Sequence, residues 1–314
     1  MRQTSFFIAV VIASVAGAFC TPARAADADE PKLAELPDKA LGGRWTDSLF
    51  ARGERKVFRG QELTTIGMPC GGIGAGQLYV RGDGTLARWW IHGSWPSTNW
   101  GGLMRGQKAD YGYNTYRPAS ELSQGLAIRF RRGVIPPQTV SLSQQDFDDI
   151  GFVGEYPIAE IRYRRPPWDN RPYMPLEIRM EVFSPFVPLD ERASGHPATV
   201  LKVHLKNTGD VRVAGELAGW LENGVRRLGK PVPGARKAAP IQGDGYAGLS
   251  FSAVADANAA EKNPAADDGT MAIAILGGKT VRTAAGLAVD SNMPAWLFDP
   301  NSKDANAPEL PMTQ

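Results

Sequence analysis

With 314 residues, 43% of them apolar and 22% charged, the chain has the make-up of a folded globular protein and room for one large or two modest domains. A formal charge of +2 provides no electrostatic footprint for a nucleic-acid partner. Two cysteines are too few for a disulfide framework.

The chain opens with Met1-Arg2, an apolar run from Phe6 to Phe19, and Ala23-Arg24-Ala25. This is the charged, apolar and small-residue order of an export leader, and the run is short for a membrane span. Residues 1–25 are therefore expected to be cleaved, with the mature chain periplasmic or secreted. Cleavage takes Arg2 and Arg24 and no acid, which leaves bases and acids equal at 33. Cys20 leaves too, so Cys70 has no partner for an internal disulfide.

Residues 26–55 read as an arm, rich in Ala, Pro and acids up to Asp38. A glycine-dense stretch, Ile66-Gly-Met-Pro-Cys-Gly-Gly-Ile-Gly-Ala-Gly76, runs into the strand-like Gln77–Val80. Asp83-Gly84 then predicts a tight hairpin into Leu86–Ile91. Gly72, Gly74 and Gly76 suggest a dinucleotide loop, but a strand follows where that site needs a helix N-terminus. Arg81-Gly82-Asp83 is explained by the hairpin tip without any receptor. In strand periodicity Ala87, Trp89 and Ile91 form a core face, and Arg88 and Trp90 the opposite one. Trp95 and Trp100 follow in a loop. Aromatic faces suit sugar rings and guanidinium groups donate to hydroxyls, so Arg88, Trp90 and Trp95 are the candidate substrate-binding residues, with His92 beside them. A neighbouring strand or domain covering Trp90 explains the same pattern.

Beyond the loop the pattern is β throughout. Leu126/Ile128/Phe130, Leu176/Ile178/Met180/Val182 and Leu201/Val203/Leu205 alternate with polar residues, as half-buried strands do. Ile158–Arg164, Val211–Leu221, Tyr246–Val254 and Met271–Leu276 are further strands. Asn207-Thr208-Gly209-Asp210 predicts a hairpin turn. Ala255–Asp268 reads as a surface loop, and 291–314 as a tail or truncated link. Many strands with few helices predict an all-β fold, a two-sheet antiparallel β-sandwich spanning 56–290.

No catalytic residue is assigned. Ser184 lacks the glycines of a nucleophile elbow. Glycosidic hydrolysis needs two carboxyls across one bond, and Glu177 and Glu181 fall on a wet face among basic residues. His92, His196 and His204 are scattered, His204 on the surface side, so no metal and no cofactor is expected. Asp146, Asp148 and Asp149 read as a solvated acidic turn without calcium-loop spacing.

Several spaced motifs together resemble the N-terminal domain of glycoside hydrolase family 116, the β-glucosidase and non-lysosomal glucosylceramidase family. They are Ile66–Gly76, Arg88-Trp89, Glu155-Tyr156-Pro157 with Tyr163, Phe183-Ser-Pro-Phe-Val-Pro188 with Pro197, Lys206-Asn-Thr-Gly209 and Trp220-Leu-Glu-Asn223, over roughly 56–277. The resemblance implies a β-sandwich that packs on a helical (α/α)6 catalytic domain. It also implies retaining hydrolysis of β-glucosides by a Glu and an Asp of that domain, neither of which has a counterpart in this chain. The expected partners are such a domain, in cis or in trans, and a β-glucoside. A stand-alone carbohydrate-binding or scaffold domain is the alternative.

Overall fold

The computed structural model describes residues 3–13, 42–51, 53–90, 122–165, 171–226, 234–255, 269–277, 281–285, 297–298 and 310–311. These residues are mostly β, in three antiparallel sheets with few helices. An eight-residue helix α1 (Gly43–Phe50), exposed along its described length, precedes the first sheet contacts.

The centre of the largest sheet is built by β8 (Asp149–Glu155), β9 (Ile158–Arg164), β10 (Leu176–Phe183) and β11 (Ala198–Asn207). Alternation decides their faces. Ile161, Tyr163, Ile178, Met180, Val182, Leu201 and Val203 are all at most 4% exposed, which places them in the core. The short β2 (Phe58–Arg59) closes one edge against β8. On the other side stand β13 (Gly234–Gly243), β14 (Tyr246–Ala255) and β15 (Thr270–Leu276), with β16 (Leu310–Pro311) on β13. Between the two halves lies β1 (Gln3–Ala13), antiparallel to both β11 and β15. The segment read as an export leader is thus a central strand here.

Two three-stranded sheets complete the described fold. One is β3 (Gly67–Cys70), β4 (Gln77–Arg81) and β5 (Leu86–Trp90). The other is β6 (Gln124–Arg132), flanked by β7 (Gln138–Ser141) and β12 (Val213–Leu221). Trp220 lies opposite Gly125, and its ring fills the space a side chain at 125 would need. Leu78, Leu86 and Trp89 of the first, Ile128, Phe130 and Val140 of the second, and Ile161 and Met180 of the large sheet share one apolar core.

The structure corrects or refines the expectations at four places. Asn207–Asp210 is a turn, with Asn207 Oδ1 accepting from Gly209 N at 3.0 Å, but it is not a hairpin. β11 and β12 join different sheets, so the turn carries the chain from one sheet to another. His204 is on the face away from the apolar core yet only 7% exposed, because its neighbours across the sheet cover it. The acidic turn is solvated and also paired: Asp146 accepts from Ser141 N, exposed Asp148 pairs with Arg171, and Asp149 opens β8 and pairs with Arg59. Phe298, in the segment read as a tail, is 2% exposed beneath the Arg129 guanidinium, which also donates to its carbonyl at 2.8 Å.

Candidate docking and substrate-entrance surface

The glycine-rich stretch is a loop, residues 71–76, between β3 and β4. Its glycines answer to packing. A Cβ on Gly72 would stand 2.3 Å from the His196 carbonyl oxygen, and one on Gly71 2.3 Å from that of Gly76. Gly74 and Gly76 have φ of 71° and 86°, where a side chain is strained. Ile73 N donates to Ser194 O at 2.8 Å, which fastens the loop to the one-turn helix α2 (Glu191–Ser194). Asp190 caps α2 by accepting from Ala193 N, and buried Ser194 exchanges hydrogen bonds with the backbone of Val187.

Two small clefts flank the loop. One runs along Cys70, Ile73, Tyr156, Pro157 and Phe186, the other between Gly76–Leu78 and Pro197–Thr199. Around the first, large apolar side chains stay exposed: Ile73 at 58%, Tyr156 at 62%, Phe186 at 40% and Val187 at 47%. Tyr156 and Phe186 meet edge to face at 5.6 Å between centroids, and the Tyr156-Pro157 bond is cis. The floor is not reactive. Burial alone pushes the Cys70 thiol up to about 12, which keeps it protonated and poorly nucleophilic. Ser184 is buried, with its hydroxyl 3.5 Å from that of Thr199.

Of the candidate sugar-binding residues, Arg88 and Trp90 lie on β5, where Trp90 pairs with Gln77 beside the glycine loop. The backbone therefore brings Trp90 to the same end of its sheet as the loop. A bulge lies between the Tyr79–Ala87 and Gln77–Trp90 pairs, and Ala87, like Trp89, falls in the core as the strand period predicts. Trp95 and His92 lie outside the described residues. Trp89 is wholly buried. The Arg81-Gly82-Asp83 tip is buried at Gly82 and Asp83, so the tripeptide is not on offer to a receptor.

A second polar cluster crosses β9, β10 and β11. Glu160 lies 3.1 Å from Arg179 and 2.7 Å from Arg162; Glu181 lies 2.5 Å from Arg179, 3.5 Å from Lys202 and 3.3 Å from His204. Burial raises both carboxyl pKa values, but hydrogen bonds from Arg179 and Arg162 on Glu160, and from His204 on Glu181, together with the neighbouring charges, outweigh it. Both settle below the ordinary 4.5. The Glu160–Arg179 and Glu181–Lys202 pairs run from strand to strand across β9, β10 and β11, so the ladder acts as a cross-strand clamp. The sequence pattern places Glu181 on a wet face among basic residues, but its partners on β9 and β11 are set by strand register and not by local sequence. The alternation of Glu and Arg on β10 was the available signal. Among the described residues no group of three His, Cys, Asp or Glu is placed to hold a metal ion, and no helix is long and apolar enough to cross a membrane.

Residues 67–306 match the family model described as beta-glucosidase 2, glycosyl-hydrolase family 116 N-term. The chain belongs to that family. The match begins at the first residue of β3 and runs past Phe298. No curated protein matches the chain.

Proposed function

We propose that this family 116 chain is the non-catalytic β-sandwich of an exported β-glucosidase or glucosylceramidase-like enzyme, which braces an (α/α)6 catalytic domain and shapes its substrate entrance. In this reading the two small sheets form the layer facing the large one, a pairing supported by their common core. The observation that carries the role is the exposed apolar group Ile73, Tyr156, Phe186 and Val187 around a loop whose own backbone is tightly fixed. An exposed apolar surface on a fixed backbone is suited to a domain contact. Arg88, Trp90 and Trp95 are proposed to contact the sugar.

Co-expression with a helical catalytic domain of the family tests this reading. The two should co-purify and hydrolyse a β-glucoside. Ile73→Asp with Phe186→Asp should abolish the association while this chain keeps its fold. Alanine at Arg88, Trp90 and Trp95 should raise KM in the assembled enzyme. Saturable glucan binding by this chain alone, with no association, would instead identify a free carbohydrate-binding module.

A further inference from the structure

β1 divides the large sheet. It pairs residue for residue with β11 from Gln3↔Lys206 to Val11↔Ala198, and with β15 from Phe7↔Leu276 to Ala13↔Thr270. Both pairings are antiparallel, so β11 and β15 run parallel to each other and are separated by one strand's width. Without β1 the sheet becomes two pieces, β16-β13-β14-β15 and β11-β10-β9-β8-β2, each with a bare inner edge.

Those edges belong to the core. Thr199, Leu201, Val203 and Leu205 on β11, and Met271 and Ala274 on β15, are all at most 8% exposed. Backbone donors and acceptors at such depth need partners, and an open edge recruits another strand. The resident segment, QTSFFIAVVIA, has no charge, no proline and no glycine, and it is rich in β-branched and aromatic residues. That composition suits a buried strand. It equally suits the apolar part of an export leader, which export would remove.

We propose that the space between β11 and β15 is a strand-acceptor site, occupied here by the chain's own N-terminal segment. Once that segment is cleaved, the site takes an uncharged apolar polypeptide strand of about the same length, antiparallel to both neighbours. The register above is enough for the acceptor site; its refilling rests on the export reading. Main-chain hydrogen bonds on both sides supply the affinity, and side chains at alternate positions supply the selectivity.

The test uses the full chain with a protease site inserted between Asp38 and Lys39, folded first and then cut. The freed N-terminal fragment should stay bound through gel filtration. It should exchange, saturably and one to one, with a labelled synthetic peptide of residues 3–13 carrying solubilising lysines beyond its end. A Val10→Pro peptide, which loses a donor and clashes in a central strand, should bind at least about tenfold more weakly. Amides of β11 and β15 should lose hydrogen-exchange protection when the fragment is removed and regain it with the peptide. The proposal is overturned if the fragment leaves with that protection unchanged, or if the proline peptide binds equally well. N-terminal sequencing of the exported protein separates the two readings. A retained Met1 would sink the export reading and make the leader the permanent occupant, while the peptide result would still decide the acceptor site.

Discussion

Tyr163, wholly buried on β9, donates its hydroxyl to the backbone carbonyl of Asp83 at 2.8 Å, tying the large sheet to the β4–β5 hairpin. The hairpin is shaped to receive it. Gly84 sits at φ 84°, and a Cβ there would lie 2.2 Å from the same hydroxyl and 2.6 Å from Met180 Cε. Asp83 in turn accepts from Thr85 N and Oγ1, which holds the turn closed.

Removing the hydroxyl leaves the Asp83 carbonyl buried without this donor. Tyr163→Phe is expected to cost about 1–3 kcal/mol in urea unfolding. Gly84→Ala adds about 1–2 kcal/mol of backbone strain to the overlap. Because the overlap is largely with the tyrosine hydroxyl, the double variant should lose less than the sum of the singles. Strict additivity would mean the two groups do not touch.

The strands that are legible in the sequence, β4, β5, β6, β9, β10, β11, β12, β14 and β15, carry enough local pattern, alternation or a β-branched run, to mark them. β13, GARKAAPIQG, has small residues and Pro240 in place of alternation, so nothing local marks it. β8 is buried at four consecutive positions, from Ile150 to Val153, and hides behind an acidic turn. β1 has a composition that a central strand and an export leader share, so composition alone does not separate the two. At Asn207 the turn chemistry was readable and the destination was not, since the sheet a strand joins is fixed by distant partners. The glycine loop was legible for the same reason the Tyr163 contact was not: its composition is local, whereas its packing against Ser194 and His196 is set more than a hundred residues later.

The Glu160 clamp should be visible in the pH dependence of stability. Its folded pKa is lowered, so the unfolded chain takes up protons first as pH falls. The stabilisation is complete above the ordinary 4.5 and is lost as pH drops through the lower folded value. Tm measured between about pH 6 and pH 3 should therefore fall more steeply for the native chain than for Glu160→Gln, which lacks the charge throughout. Glu160→Gln should be the less stable of the two near neutrality, because Arg162 and Arg179 keep their charges without the carboxylate. Parallel pH profiles would show that the ladder contributes nothing.

Cys70 provides a probe of local opening. With a pKa of about 12 and 4% exposure, it should resist a disulfide reagent in the folded Cys20→Ser chain and react stoichiometrically in denaturant. Rapid labelling in the native state would mean that the β3 end beneath the glycine loop opens readily.

Two glycines of that loop separate overlap from backbone strain. Gly74 has a φ of 71° and nothing within 4 Å of a built Cβ, so Gly74→Ala meets only the left-handed backbone, costing about 1–2 kcal/mol. Gly72 presses on backbone: its Cβ would lie 2.3 Å from the His196 oxygen and 2.7 Å from the Gly195 carbonyl carbon. Neither atom is the end of a flexible side chain, so the loop and the 195–196 segment must part. Gly72→Ala should therefore cost more than Gly74→Ala, and it should also deprotect the Ile73 amide that is held by Ser194. Urea unfolding and hydrogen exchange read these two effects separately. If Gly72→Ala were the milder change and left the Ile73 amide protected, the close approach of the glycine loop to His196 would not be what holds this surface rigid.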